Sequence, residues 1–356
     1  MIKRFLSKLL IFTIFTSAAV SPTTVSAETS ANIKTGDYIQ MGTYYGKPIL
    51  WRCVGFEKIL FYDDEGNPFT DANDTSTVYK EGYLPIILSD KILCIKPFDA
   101  AGTNLYSSHY SGEDRTVSGS NCWSDGNLRS WLNSDSSAGN VEWLCGNPPT
   151  ADKVEYNAYA DETGFKTNFT ADELAAVETA VQETKVDYYD YYPEGYTKRN
   201  DSIVELPLGD EIDEIDSSIN TNYFCYDTDD FFILSAQQTA NIDEDILGKG
   251  YYLGEPTAEC VENSEYKCNN KNSGGSPSLT EGCKWFTLLR NPWHSGASQV
   301  EFVESLCQDS KTGEYYNCVM GVSANRGNCG VRPAFYLSDD VELTGSGTRL
   351  SPYAIS

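Results

Sequence analysis

An α+β fold with mainly antiparallel strands is the class this sequence predicts, and three observations predict it. The opening and closing thirds alternate apolar and polar residues with the period of half-buried strands. The middle holds short helical stretches with cap signals. The long segments between them are acidic or tyrosine-rich and carry no period.

Ahead of these elements, Lys3, Arg4 and Lys8 precede an apolar run from Leu9 to Val20, and small residues follow to Val25-Ser26-Ala27. That order is a secretory signal peptide, 1–27, with cleavage expected after Ala27. The run is too short to span a bilayer, and Pro22 breaks it. Residues 28–356 are expected to be secreted as one domain with loop insertions, with no membrane insertion after cleavage.

Tyr38–Tyr44 and Pro48–Phe56 alternate around Tyr45-Gly46-Lys47 and predict an opening hairpin. Leu84–Ile95 reads as a further strand. Leu128, Trp131 and Leu132 share one face of a short helix after Ser124-Asp125-Gly126-Asn127. Thr170 and Glu173 form a capping-box pattern, as do Ser235 and Gln238 behind the apolar run Phe231–Leu234, which reads as a strand feeding that helix. Tyr188–Tyr196, Asp210–Asp216 and Glu259–Glu281 read as surface insertions, placed around 185–220 and 255–283. Lys284–Arg290, Val300–Leu306, Tyr315–Val322 and Gly330–Leu337 are the closing strands, with Lys311-Thr312-Gly313 as a turn.

The chain carries 52 Asp and Glu against 26 Lys and Arg, a net charge of −26. Loss of the leader removes three of the basic residues. The Lys and Arg clusters that grip phosphate backbones are absent, which excludes nucleic acid as a partner. All 11 cysteines lie in the exported part, where disulfides persist, and the odd count leaves one thiol over. No Cys-x-x-Cys occurs, which argues against a zinc or thioredoxin-like centre. Cys260 with Cys268 and Cys307 with Cys318 are the short-range candidate pairs. The two histidines, His109 and His294, form no zinc motif, so no metal ligands are assigned. No cofactor is expected. Calcium is the one candidate, at Asp210–Asp216 or Asp227-Asp229-Asp230, although an EF-hand's glycine and terminal Glu are missing.

Seven blocks recur in a recognisable order: Gly36-Asp37-Tyr38-Ile39-Gln40-Met41-Gly42-Thr43-Tyr44, Ile49-Leu50-Trp51-Arg52, Trp123 with Leu128-Arg129-Ser130-Trp131-Leu132-Asn133, Phe169-Thr170-Ala171-Asp172-Glu173, Asp230-Phe231-Phe232-Ile233-Leu234-Ser235, Trp285 with Leu289-Arg290-Asn291-Pro292, and Gly330-Val331-Arg332-Pro333-Ala334. Together they resemble the bacterial domain of unknown function 6273 family. That family is similar to the C-type-lectin-like fold of formylglycine-generating enzymes (sulfatase-modifying-factor-like). The resemblance implies that Trp123, Leu128, Trp131, Trp285, Arg290, Gly330, Arg332 and Pro333 are scaffold. It also implies that Asn291–Cys329 displays side chains toward a ligand, although Asn291-Pro292-Trp293-His294 departs from the family's usual loop.

Within that segment Trp293 and His294 follow Pro292 in a loop, where a rigid aromatic can stack on a sugar or pack on a partner. Asn325 and Arg326, in a second glycine-bounded loop, supply polar contacts. The function expected is a secreted binding module for an extracellular glycan or surface protein. A structural envelope component, which would cross-link through the odd cysteine, is the alternative. A formylglycine-generating oxidase fits less well, because the close cysteine pair it needs lies in the wrong part of the chain.

Overall fold

The computed structural model describes residues 33–59, 82–102, 115–144, 146–185, 197–198, 223–266, 279–293, 297–308, 315–339 and 341–355. The leader 1–27, the tyrosine-rich segment 188–196, the acidic segment 210–216, His109, His294 and the turn 311–313 fall outside them.

The first third supplies strands β1 (Tyr38–Tyr44), β2 (Lys47–Ile59), β3 (Gly82–Ser89) and β4 (Cys94–Ile95). The middle supplies helices α1 (Arg115–Ser118), α2 (Asn127–Leu132) and α3 (Ala171–Ala175). Strands β5 (Val177–Glu178), β6 (Ala180–Lys185), β7 (Thr197–Lys198) and β8 (Tyr223–Asp229) follow. Three short helices come next: α4 (Ala236–Ala240), α5 (Glu244–Leu247) and α6 (Ala258–Asn263). The last third is β9 (Thr287–Pro292), β10 (Gln299–Gln308), β11 (Tyr315–Ser323), β12 (Gly330–Val331) and β13 (Ala334–Leu337), then the small pair Leu343–Thr344 and Ala354–Ile355.

The fold is mixed, with antiparallel sheets and short helices. One five-stranded sheet runs β1-β2-β3-β13-β5 and is antiparallel throughout. A second runs β11-β10-β9-β12-β4, with β12 parallel to β9 and the other pairs antiparallel. Strands β6-β8-β7 form a third. The first turn follows from its residues: Tyr45 and Gly46 both take positive φ, 49° and 72°, which a tight two-residue hairpin requires.

The two large sheets are joined where the chain passes twice between them, from β3 to β4 and from β12 to β13. Arg332 fastens these crossings together. Its guanidinium donates to the carbonyls of Ser89 (3.0 Å), Asp90 (3.4 Å) and Tyr251 (2.7 Å) and lies over the Tyr251 ring. Pro333 has no N–H to extend the β12 ladder, and its carbonyl takes the Ser89 N–H instead. Leu84–Ile95, expected as a strand region, holds most of β3 and all of β4, with the crossing between them.

Beneath the first sheet lies an aromatic core of Trp51, Trp131, Phe165, Phe169, Phe231 and Phe335. Phe169 stacks on Phe231 at 4.9 Å, and Trp51 meets Phe335 edge-on at 5.0 Å. Buried side chains of this size stabilise by about 2–3 kcal/mol each. Each buried indole also needs an acceptor: Trp51 donates to Met41 O, Trp123 to Asp229, Trp131 to Thr163 O and Trp285 to Asn328 O. Leu128 packs in the same core.

Both capping boxes form. The apolar run before the second is not a strand, however. β8 ends at Asp229, and Phe231–Leu234 crosses the core as irregular backbone bridged to β13 at Phe232 and Ala334. Within 255–283, α6 packs on β4 with Cys260 buried. No helix among the described residues is long and apolar enough to cross a membrane.

A candidate binding face and a groove

β9 ends at Pro292, and the N–H of Trp293 donates to Gln299 O at 2.8 Å. Gln299 opposes Ser323 in the β10–β11 ladder, and Arg326 N–H donates to Ser323 O. Trp293 and Arg326 thus come to the same end of one antiparallel ribbon, although 33 residues of chain separate them. The indole lies against Gly321 so closely that a Cβ there would come within 2.4 Å of it. Trp293 is partly exposed, and Met320 beside Gly321 is 40% exposed. Arg326 is exposed and lies 3.8 Å from Glu155.

Asn325 is held inside. Its N–H donates to Ser118 O and its side-chain amide to Val117 O, while its own carbonyl accepts from Glu155 N–H. Below it, the buried Arg115 donates to Ala297 O at 2.7 Å. Arg290 bonds Ile233 O and Gln238 Oε1 under the Phe232 ring. Of the four residues singled out in the sequence, Trp293 and Arg326 are brought by their backbones to the same end of the ribbon, Asn325 is part of the frame, and His294 lies outside the described residues. Cys307 and Cys318 fall on the facing strands β10 and β11.

Glu301 stands opposite Gly321 in the ladder. Burial pushes its carboxyl up to about 7, against the pull of Lys185. Burial in turn lowers the Lys185 ammonium. Glu301 Oε2 has no hydrogen-bond partner among the described residues.

A groove of about 380 Å³ opens on the opposite part of the sequence, between the β1–β2 hairpin and the segment before α3. Gln40, Thr43, Asn168, Phe169, Thr170 and Glu173 line it. Its shape follows from a bulge in β1. At Gly42, φ is +70° and the ladder shifts register, so the Gly42 N–H turns to Glu173 Oε1 at 2.7 Å. The other Glu173 oxygen caps Thr170. A volume of this order suits a small ligand. Sequence reading missed these residues, although the capping box at Thr170–Glu173 and the bulge glycine were both visible.

Of the acidic positions considered for calcium, Asp227, Asp229 and Asp230 are engaged in ion pairs, and Asp210–Asp216 lies outside the described residues. Asp227 and Asp229 pair with Arg129, at 3.4 and 2.7 Å, and Asp230 pairs with Lys166 at 2.6 Å. Among the described residues no group of three His, Cys, Asp or Glu side chains is placed to hold a metal ion. Comparison of the chain with family models, curated proteins and solved structures gives no match.

Proposed function

We propose that this chain is an exported binding module on a C-type-lectin-like scaffold, and that it takes an extracellular glycan at the face built around Trp293. The observation that carries the reading is the placement of Trp293: a partly exposed indole laid on the backbone of Gly321, at the end of a ribbon whose base is fixed by buried arginines. A rigid aromatic gives a large contact area for little lost rotamer entropy, and its apolar face matches the C–H face of a sugar ring. The mixed architecture of antiparallel sheets and few short helices is compatible with that scaffold.

The test is a glycan-array and surface-protein screen of the leaderless chain, with Trp293→Ala and Arg326→Ala beside it. A saccharide hit lost in Trp293→Ala, with an unchanged circular dichroism spectrum, supports the reading. A protein hit at the same face keeps the module and changes the ligand class. A hit untouched by either variant moves the site elsewhere, and a blank from folded protein removes the reading.

A further inference from the structure

We infer that Glu301 is a positioning residue of the Trp293 face: with its carboxyl neutral the indole keeps its seat on Gly321, and ionisation unseats it. Binding at the face is therefore tighter in acid than in base, a regulation that rests on the glycan reading for its ligand. The ladder puts the two side chains together. Glu301 and Gly321 are direct partners across β10 and β11, so their Cβ directions share one face of the ribbon. Gly321 leaves that face empty, and the indole fills it, 2.4 Å from where a Cβ would stand. Partnered Cβ positions lie about 5 Å apart, which leaves the indole within about 8 Å of the Glu301 Cβ, a gap that a long side chain and an aromatic bridge.

Glu301 is partly exposed, yet its Oε2 is enclosed and has no hydrogen-bond partner among the described residues. On the same face of the ribbon, the side chains of Val303 and its partner Val319 supply no donor and no charge. From β6, which packs on β9, comes Lys185, the one charged group among the described residues that acts on Glu301. Burial outweighs its pull and holds the carboxyl up at about 7.

The direction follows from the enclosed oxygen. A carboxylate oxygen without a donor is costly, whereas the neutral acid has no charge to solvate. The ionised group gains by turning that oxygen to water at its exposed side, and the indole then loses one wall of its seat. The seated arrangement favours the proton. It is therefore complete below the ordinary carboxyl value and is lost as pH climbs through 7.

The full chain is titrated from pH 5 to 8.5, and the Trp293 share of its fluorescence is taken as the difference from Trp293→Phe. One transition with a midpoint near 7 is expected. Glu301→Gln, neutral and of the same shape, is expected to remove it. Gly321→Ala, whose methyl group displaces the indole, is expected to remove it as well and decides if Glu301→Gln fails to fold. His294→Gln, next in the chain to Trp293, is expected to leave it. On the glycan array a saccharide hit is expected to weaken about threefold or more from pH 5 to 8.5, and to stay at its acid level in Glu301→Gln. A flat signal, a transition that survives Glu301→Gln, or one that disappears in His294→Gln overturns the assignment. An array blank beside an intact transition fails the glycan reading alone. A hit lost in Trp293→Ala, from a chain without the transition, fails the role of Glu301 alone.

Discussion

Trp123 and Asp229 lie 106 residues apart in the chain and meet through an indole N–H that donates to Asp229 Oδ2 at 2.8 Å. The other oxygen, Oδ1, accepts from Arg129 Nε at 2.7 Å and from Asn133 Nδ2. One buried carboxylate thus orients the α2 segment against the end of β8. Asp229→Ala removes the acceptor for the indole and for the guanidinium together, and is expected to destabilise by about 3–5 kcal/mol in urea unfolding. Asp229→Asn keeps one acceptor and is expected to cost less. Equal stability of Asp229→Ala and the wild type would show that this contact contributes little.

Arg332 reaches three carbonyls with one planar fork. Lysine presents a point charge and cannot span them. Arg332→Lys is expected to lose about 2–3 kcal/mol and to lower the urea midpoint without changing the slope of the transition.

Stability is expected to fall as pH rises from 5 to 8.5. Burial pushes Asp99 up to about 7 against hydrogen bonds from Ser120 and Asn127, and Glu301 up to about 7 against Lys185. Both folded values exceed the unfolded ones. Their contribution is therefore complete at acid pH, below the unfolded values, and is lost as pH climbs through 7. Relief of the chain's net negative charge acts in the same direction. Asp99→Asn combined with Glu301→Gln separates the two effects: the pair should flatten the urea midpoint against pH, whereas an unchanged slope would assign the trend to surface charge.

Gly321→Ala places a methyl group within 2.4 Å of the Trp293 indole. The ring must leave its seat, although the ladder of β10 and β11 can persist. Ligand affinity is expected to drop at least tenfold, about 1.4 kcal/mol, with a shift in tryptophan fluorescence. Retained affinity with a shifted spectrum would separate the indole from the binding surface.

What the sequence revealed is the part written locally. The hairpin turn at Tyr45-Gly46 and the caps at Thr170 and Ser235 depend on residues within a few positions of one another, and all three form. The break after β3 was hidden because its cause, Arg332, lies 242 residues from Asp90. Phe231–Leu234 is buried on every side by partners from both large sheets and α4, so its apolar run looks like a strand. α6 shows a polar face with one inward cysteine, which resembles a loop until Thr257 is seen to cap it. At the candidate face, the sequence Pro292-Trp293 points to an aromatic in a loop, and Trp293 is partly exposed there. The inward turn of Asn325 was not legible, because its acceptor is a carbonyl of α1. The groove depends on Glu173 meeting Gly42 across 131 residues, which no local pattern encodes.

The grip of Arg332 has an evolutionary corollary. All three of its acceptors are main-chain carbonyls, and every amino acid presents the same carbonyl. Positions 89 and 90 can change identity without removing an acceptor from Arg332, whereas position 251 also supplies the ring beside the guanidinium and position 332 admits no substitute with the same reach. The tolerance of this junction to substitution is therefore lopsided: it is narrow at 332, where the whole fork is needed, and wide at 89, where only the main chain takes part.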